Sequence, residues 1–422
     1  YINTAVMSDS IKTAVQAGWD EQIELLQDLV RIPSVTGQEK HVQDRVAIIM
    51  SRYGLSVDSW CPEACDVAEH PAYCDDGLPL GDRPVVVGKW QGTGGGKSLI
   101  LNGHMDVVPV GDESLWKYPP WNAAIEGNHL HGRGSCDMKA GIVAALSAVT
   151  ALRKMGYTPK GDVYIESVIG EETGGVGTLA TIMRGYSADA AVIMEPTGLL
   201  LAPAGSGALS FRLKIAGKAA HGGLREEGYS AIDAFIPLYN ALKTLETNRH
   251  ALFHHPLFPD TFLAAPLSIG IVQAGDWVST VPEALIAEGR YGIFPGESPT
   301  DARDMFEDAV NGAVAQNPWL TNHVPIIEWF EGQFEAGETD QASEIVSHLV
   351  RAHEKVSGNK AKVTGVPYGS DLRLFTNHAD TPCVLYGAGD VRLAHTVEEY
   401  VPISEVNTLT NVLAQLISDW CG

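Results

Sequence analysis

Residues with the chemistry of metal ligands lie in five short segments of this 422-residue sequence. They are GHMDVVP (His104, Asp106), GRGSCDMKAG (Asp137), GEETGG (Glu171, Glu172), MEPT (Glu195) and LAHTVEEY (His395). Each falls just past a predicted strand, and open α/β sheets place their sites beyond the carboxyl ends of strands. A single His or Glu at such a place is ordinarily a solvated or capping residue. The prediction of a metal site therefore depends on the position that all five segments share.

The context of His104 and Asp137 favours ligand roles for both. Asp106 lies two residues after His104 and points the same way, so its carboxylate can accept the ring proton of the imidazole and fix the metal-binding tautomer. Asp137 separates a Gly-rich turn from a long helix, which also suits a helix N-cap. Gly132 and Gly134 leave an open approach for two cations to one bridging carboxylate.

Three glutamates complete the set. Glu171 and Glu172 are consecutive in a loop, so their side chains diverge and one can bind metal while the other faces an attacking water; a solvated acidic pair is the alternative. Glu195 follows four apolar residues and precedes Pro196, with no cation nearby in the sequence. Burying this carboxylate unpaired would be costly, and a bound metal removes the difficulty.

Composition narrows the class of protein. With 52 acidic and 29 basic residues, the formal charge of −23 excludes nucleic acid and anionic membrane surfaces as partners. Six cysteines are few for this length, which favours a reduced, cytoplasmic compartment. The first residues lack the pattern of a secretory signal. We identify no apolar run of the roughly 18–20 residues that a membrane span needs.

The first half of the chain alternates apolar runs with amphipathic stretches, which predicts an α/β fold with a mostly parallel sheet flanked by helices. The predicted helices cover Asp20–Arg31, Glu39–Tyr53 and Met138–Met155. The predicted strands are RPVVVGKW, KSLILNGH, DVYIESVIG and DAAVIM.

The pattern changes after PAGSGA at 203–208. The order strand, helix, two strands, helix, strand predicts an inserted ferredoxin-like βαββαβ domain. We place this domain at 208–331 and assign 1–207 with 332–422 to a catalytic, metal-binding domain.

Other catalytic motifs are incomplete. GTGGGKS at 92–98 lacks the glycine that a phosphate loop needs at 91, and a strand follows it rather than a helix. No G-x-S-x-G elbow is present, so a serine hydrolase is a minor alternative. Cys61, Cys65, His70 and Cys74 match no standard zinc spacing and favour a loop with free thiols.

Together the segments GHMDVVP, GRGSCDMK, GEETGG, EPT, GKAAHGG, PGES and AHTVEEYVPI resemble, in order, the di-zinc aminoacylase and carboxypeptidase superfamily, which includes acetylornithine deacetylase and succinyl-diaminopimelate desuccinylase. The resemblance implies a zinc-exopeptidase-like fold in which 208–331 is a lid and dimerisation domain. It also implies one metal ion on His104, Asp137 and Glu195. The second would be held by Asp137, Glu172 and His395, so that Asp137 bridges.

The same resemblance implies catalytic roles for three residues. Glu171 would be the general base, and Asp106 would orient His104. His221, in GKAAHGG, would reach the site of a partner subunit and stabilise the oxyanion, which requires a homodimer. A surface His at a strand–helix turn is the alternative interpretation of His221.

Substrate-binding residues are also implied. Arg290 matches an Arg that binds the substrate carboxylate, a task that suits its planar fork, although a solvated strand Arg is an open alternative. Gly369 and Ser370 resemble a substrate-binding Gly loop. Ser279 stands where many relatives carry Asn, so the contact of the lid with substrate departs from the family pattern.

These observations predict a hydrolase that uses two divalent metal ions, zinc first and cobalt or manganese as alternatives. The bond cleaved is an amide-type C–N bond in a small carboxylate-bearing substrate. An N-acyl-amino-acid deacylase of the acetylornithine deacetylase type is the leading prediction. The alternatives are a metallo-exopeptidase on small peptides and an amidohydrolase or deaminase acting on another C–N bond, such as that of an aromatic amine.

Overall fold

The structure is a computed structural model that describes residues 4–260 and 262–422. It consists of two compact units. The first unit comprises the residues up to Ala204, Glu338–Thr364 and Asp371–Gly422, and the inserted unit comprises Gly205–Gly337 and Gly365–Ser370.

The inserted unit is therefore longer than the predicted 208–331. Two backbone hydrogen bonds explain why Gly365–Ser370 joins it: the amide of Ser206 donates to the carbonyl of Val366 over 3.0 Å, and the amide of Gly365 donates to that of Leu257 over 2.7 Å. The sequence places these residues more than one hundred positions apart, so no local pattern could predict the pairing.

The amino-terminal part of the first unit alternates helices with strands. The helices are α1 (Thr4–Ala17), α2 (Trp19–Val30), α3 (Lys40–Arg52), α4 (Ala64–Val67), α5 (Ala140–Lys154) and α6 (Val176–Arg184). The strands are β1 (Ser56–Trp60), β2 (Val85–Trp90), β3 (Leu99–His104), β4 (Ile125–Glu126), β5 (His129–His131), β6 (Val163–Val168), β7 (Ala190–Ile193) and β8 (Leu201–Gly205).

The inserted unit has the predicted βαββαβ order. Its strands are β9 (Gly207–Ala216), β10 (Leu267–Ala274), β11 (Ala284–Ile293) and β12 (Ile326–Phe334), and its helices are α7 (Ala231–Leu252), α8 (Pro299–Ala315) and α9 (Pro318–Asn322). The strands form an antiparallel sheet in the order β10-β11-β9-β12. Along β9, Leu209, Phe211, Leu213 and Ile215 alternate with more exposed residues and enter a core that includes Phe306 of α8. This period-2 pattern is what made the strand predictable.

The remaining elements are β13 (Gly337–Glu338), α10 (Glu344–Ser357), β14 (Val363–Val366), α11 (Leu372–His378), β15 (Cys383–Leu385), β16 (Tyr400–Pro402) and α12 (Ile403–Cys421). The nine-stranded sheet has the order β1-β2-β6-β3-β7-β15-β8-β13, with β14 paired to β8. The four central strands β6, β3, β7 and β15 run parallel, and the β1–β2, β2–β6 and β15–β8 pairs are antiparallel. The prediction of an α/β sheet flanked by helices, with a separate antiparallel unit, is confirmed.

The parallel strands are buried on both faces. Every residue of β3 and β7 is buried, as expected for the apolar runs that predicted them. Helix α5 is rich in Ala and Leu, and eleven of its residues are buried. The elements that were not predicted include helices α1, α6 and α12, the edge strand β1 and a small sheet of β16, β5 and β4.

The segment Ser135–Lys154, which includes α5, is long and apolar enough to cross a membrane by length and composition alone. The prediction concerned a continuous apolar run, and Asp137 and Lys139 interrupt this segment before α5 begins. Moreover, 83% of the apolar window is buried inside the protein, as in the core helix of a globular domain.

Candidate metal centre

The ends of three neighbouring parallel strands bring the predicted ligands together. His104 is the last residue of β3, Glu171 and Glu172 follow β6, and Glu195 follows β7. Strand β3 lies between β6 and β7 in the sheet, and all three run parallel. Their carboxyl ends therefore meet at one edge, where α/β sheets carry their sites.

The first ligand group surrounds the His104 imidazole. Its Nε2 lies 3.0 Å from Oδ1 of Asp137 and 3.6 Å from Oε1 of Glu195. Each of these three residues offers one ligand atom, and the three atoms lie within 4.8 Å of one another. This is the set predicted for the first metal ion.

The second ligand group contains the other oxygen of Asp137. Nε2 of His395 lies 3.4 Å from Oδ2 of Asp137 and 3.1 Å from Oε2 of Glu172. These three residues also form a group that could hold a metal ion. The two oxygens of Asp137 thus face two different imidazoles, the arrangement expected of a bridging carboxylate, and its carboxylate does not act as a helix N-cap.

The two imidazoles differ in exposure. The His104 side chain is 1% exposed, whereas the His395 side chain is 55% exposed and belongs to a loop residue with φ of +63°. The first ligand group is therefore enclosed, and the second is open to solvent on the side of His395.

Electrostatics indicates that the site is suited to cations. Oε1 of Glu195 is buried and has no hydrogen-bond partner within the described residues. Burial, together with neighbouring carboxylates, raises the pKa of Glu171, Glu172 and Glu195 in the metal-free protein. Divalent cations would offset both the cost of burying the unpaired Glu195 oxygen and the repulsion between the carboxylates. The donor set of imidazole and carboxylate fits Zn²⁺, Co²⁺ and Mn²⁺.

Asp106 connects the His104 strand to the loop of the two glutamates. Its carboxylate oxygens accept hydrogen bonds from the amides of Glu171 and Glu172, each over 3.2 Å, and from Oγ1 of Thr36 over 3.0 Å. Nδ1 of His104 lies 2.8 Å from the Asp106 backbone carbonyl and 3.5 Å from Oδ1. The nearest acceptor for the imidazole is thus the carbonyl rather than the carboxylate expected from the sequence.

Glu399, which the sequence analysis missed, holds the loop of Asp137. Its Oε1 accepts hydrogen bonds from the amides of Gly134, Cys136 and Asp137 over 3.0, 3.3 and 3.1 Å. Its Oε2 accepts one from Nη1 of Arg133 over 2.7 Å. Glu399 is 1% exposed, and burial raises its pKa to about 7 despite the adjacent guanidinium. Glu399 lies four residues after His395, but a charged residue in that segment gives no local sign of its partner.

A buried ion-pair cluster supports the loop of Glu171 and Glu172. Arg83 donates to Glu39 over 2.9 Å and to Asp76 over 3.1 Å, and Thr173 donates its hydroxyl to Asp76 over 2.8 Å. Gly170 lies against this cluster, because a Cβ there would be 2.9 Å from Nη2 of Arg83 and its φ is +64°. The cluster joins the loop before β2 to the residues that flank the glutamates.

With this geometry established, comparison with known proteins gives the family. Residues 100–419 match the sequence pattern of Peptidase family M20/M25/M40. The chain belongs to this family. The predicted membership of the aminoacylase and carboxypeptidase superfamily is confirmed.

Full-length relatives act on amide bonds, according to their names. The chain is 28% identical to N-formyl-4-amino-5-aminomethyl-2-methylpyrimidine deformylase of Bacillus subtilis (strain 168), over 98% of this chain and 97% of the relative. It is 25% identical to a probable succinyl-diaminopimelate desuccinylase of Staphylococcus aureus (strain MRSA252), over 90% of this chain and 93% of the relative. Among solved structures, human carnosine dipeptidase 1 superposes with a TM-score of 0.77 at 16% identity, covering 98% of this chain and 99% of the other.

The chain is thus an M20 family hydrolase that acts on amide bonds, and the prediction of a hydrolase for C–N bonds is confirmed. The family includes dinuclear metal-binding peptidases, and the two ligand groups described above could each hold a metal ion.

The remaining predicted site residues of this M20 chain lie in the inserted unit. His221 is exposed at the start of a 3-10 turn, and its Nδ1 accepts a hydrogen bond from the Gly223 amide over 3.0 Å. Arg290 is a half-buried residue of β11 whose Nη1 donates to the Pro266 carbonyl over 3.3 Å. Solvent can reach the side chains of both residues.

Gly369 and Ser370 lie in the segment that joins the inserted unit late in the chain. A Cβ at Gly369 would be 2.8 Å from Cβ of Phe334, so only glycine allows this close approach. Ser370 is 4% exposed. The close packing at Gly369 is consistent with a loop whose backbone must be placed accurately.

The cysteines noted in the sequence and the indole of Trp116 take no part in the two ligand groups. Cys61 and Cys65 are free thiols, and none of Cys61, Cys65 and Cys74 belongs to a possible metal-binding group among the residues that the structure describes. Trp116 is 8% exposed and donates its indole N–H to the Val110 carbonyl over 2.9 Å, so it packs locally.

Proposed function

We propose that the chain is a deacylase that hydrolyses the amide between a small acyl group and an amine of a small substrate. One observation carries this proposal: the ligand group of His104 and Glu195 and the ligand group of Glu172 and His395 have the Asp137 carboxylate in common. Glu171 lies beside them, next to His104 and Glu172. N-acyl amino acids are the leading substrate class. The full-length likeness to a deformylase makes formyl the first acyl group to test.

Five residues would hold two metal ions, for which we propose zinc. They are His104, Asp137, Glu172, Glu195 and His395. When bound, two such ions lower the pKa of water, polarise the scissile carbonyl and stabilise the oxyanion. Asp106 supports this arrangement through the backbone, because its carboxylate holds the amides of both glutamates.

Glu171 would move the proton. Its Oε2 lies 3.7 Å from Nε2 of His104, at the edge of the first ligand group, and its side chain is 10% exposed. In this role the carboxylate takes a proton from the attacking water and delivers it to the leaving nitrogen as the C–N bond breaks. The enclosed position of Glu171 favours a base that bulk water does not compete with.

The inserted unit would bind the rest of the substrate. The guanidinium of Arg290 suits a carboxylate, and the loop of Gly369 and Ser370 would contact the amide. His221 would serve the site of a partner subunit, so we propose that the active form is a homodimer. The exposure of His221 is consistent with a residue whose partner lies outside its own chain.

A substrate panel tests the proposal. The protein, loaded separately with zinc, cobalt or manganese, is assayed with formyl, acetyl and succinyl derivatives of amino acids and of aminomethyl-pyrimidines. Short dipeptides and aromatic amines are included, and release of the free amine is measured. We expect at least one acyl amide to be cleaved with a kcat/KM well above those of the dipeptides.

Glu171→Ala serves as the control for a contaminating hydrolase, since it should abolish the signal. Preferential cleavage of dipeptides would contradict the deacylase proposal and favour an exopeptidase. Release of ammonia from aromatic amines alone would favour a deaminase.

A further inference from the structure

A cavity of the first unit, separate from the metal centre, has features of a ligand site. It has a volume of about 600 Å³, and none of the metal-centre residues lines it. Its walls come from α1, from residues 198–200, from the end of α10 with the residues that follow, and from α12. A volume of this size is within the range of about 300–1,000 Å³ typical of small-molecule sites.

The cavity is basic in an otherwise acidic protein. Four of the fourteen lysines of the chain line it: Lys12, Lys355, Lys360 and Lys362. Among its described lining residues, Asp9 is the one acidic residue. A concentration of positive charge on a chain with net charge −23 is unexpected for a surface under no constraint.

These four lysines also differ from most of the others in their pairing. Within the described part of the chain, none of them forms an ion pair. By contrast, seven other lysines do so: Lys40, Lys89, Lys97, Lys117, Lys154, Lys214 and Lys243. The four ammonium groups are thus available to a ligand with negative charge.

Two buried polar side chains add to the cavity wall. His353 is 7% exposed, and its Nδ1 lies 2.8 Å from the hydroxyl of Tyr386. With that hydroxyl as donor, Nε2 of His353 carries the ring proton and can donate to a ligand. Asn411, 6% exposed, also lines the cavity. Burial lowers the pKa of His353, which favours the neutral imidazole.

We propose that this cavity binds a small phosphate-bearing molecule, held by the four lysines and by His353. Lysine is a common phosphate ligand because its ammonium acts as a point charge that several oxygens can approach. A single carboxylate would neutralise less of the charge at this site. The volume leaves room for an organic group attached to the phosphate.

Binding of inorganic phosphate and of pyrophosphate to the full metal-loaded chain tests the proposal. Titration calorimetry at constant ionic strength compares the parent with Lys360→Ala/Lys362→Ala. The matched control is Lys154→Ala/Lys160→Ala, which removes the same charge outside the cavity. We expect the first pair to weaken pyrophosphate binding at least about tenfold, because each substitution removes one charged hydrogen-bond donor to the ligand. The control pair should leave affinity unchanged.

A conservative variant separates charge from packing. Lys360→Arg/Lys362→Arg keeps both charges and should retain binding, whereas Lys360→Glu/Lys362→Glu should abolish it. If phosphate binds at the metal centre instead, the two alanine pairs should have the same affinity for it. That result, or the absence of any binding that depends on Lys360 and Lys362, would overturn the proposal.

Discussion

The metal centre and the inserted unit differ in the solvent exposure of their predicted functional residues. In the first unit, His104, Glu171 and Glu195 are buried. Nε2 of His104 lies 3.7 Å from Oε2 of Glu171 and 3.6 Å from Oε1 of Glu195. In the inserted unit, His221 is exposed and Arg290 is half-buried. Apart from His395, which is 55% exposed, the predicted metal ligands are held in a largely desolvated geometry, whereas His221 and Arg290 stay accessible to a substrate.

This contrast divides the expected effects of mutation. A change in the metal centre should alter metal content or the chemical step, with effects that depend on burial. A change in the inserted unit should alter turnover or substrate affinity and leave the metal content intact. Measuring metal content together with turnover for Glu171→Ala and His221→Ala makes a wrong assignment to either region visible.

The largest effect is expected for Glu171→Ala. Removal of a general base lowers kcat by about a thousandfold. Neither ligand group assigned to the two metal ions contains Glu171, so both ions should remain bound. Steady-state kinetics and elemental analysis check the two parts, with the exposed Glu398→Ala as a control. Loss of a metal ion together with activity would show that Glu171 is a ligand.

The next largest effect is expected for His221→Ala in the inserted unit. Loss of one donor to a developing oxyanion costs about a hundredfold in kcat. Metal content and KM should change little, because His221 is remote from the ligands in sequence and is exposed.

Mixing inactive subunits makes this test specific for action across a dimer. A hybrid of His221→Ala and Glu171→Ala subunits contains one site with both residues intact, if His221 acts on the partner's site. Activity should therefore reappear after the two variants are mixed and allowed to exchange. Failure to recover activity, despite subunit exchange confirmed by mass spectrometry, would mean that each subunit works alone.

A smaller effect is expected for Glu399→Gln, which tests how the loop of Asp137 is held. The amide can accept only through one oxygen, so either the Arg133 pair or the contacts to the loop amides are weakened. Substitutions behind a metal ligand typically lower metal affinity about ten- to a hundredfold. Metal competition with a chelating dye measures this, and Glu398→Gln is the matched neighbour. Equal affinity in both variants would show that the loop needs no such support.

The difference between Glu399 and Glu195 shows how far the sequence leads. Glu195 was found because four apolar residues precede it and end at a predicted strand, which is a local pattern. Glu399 binds amides more than 260 positions away, and the Arg83–Glu39 pair joins two loops in the same way. Such partners carry no periodicity, and they emerge only when the fold brings the segments together.

The same reasoning applies to whole elements. Strands β3 and β7 were predictable because both faces are buried and each contains a run of consecutive apolar residues, Leu99–Leu101 in β3 and Ala190–Ile193 in β7. The short strand β16 pairs with β5, far earlier in the chain, and neither has an apolar run of its own. Likewise, hydrogen bonds to distant residues attach 365–370 to the inserted unit, and the composition of this segment gives no sign of them.

The smallest effect is expected for Cys61→Ser/Cys65→Ser, which tests whether the first unit has a second metal site. Cys65 is exposed, and neither thiol belongs to a group that could hold a metal among the described residues. Each exchange is nearly isosteric, so stability should change by less than about 0.5 kcal/mol. Zinc content should stay at two ions per chain, whereas His395→Ala should lower it towards one. A third zinc ion that the parent binds and the double variant loses would place a metal on these thiols. The first unit would then have a second region that holds cations, besides the metal centre.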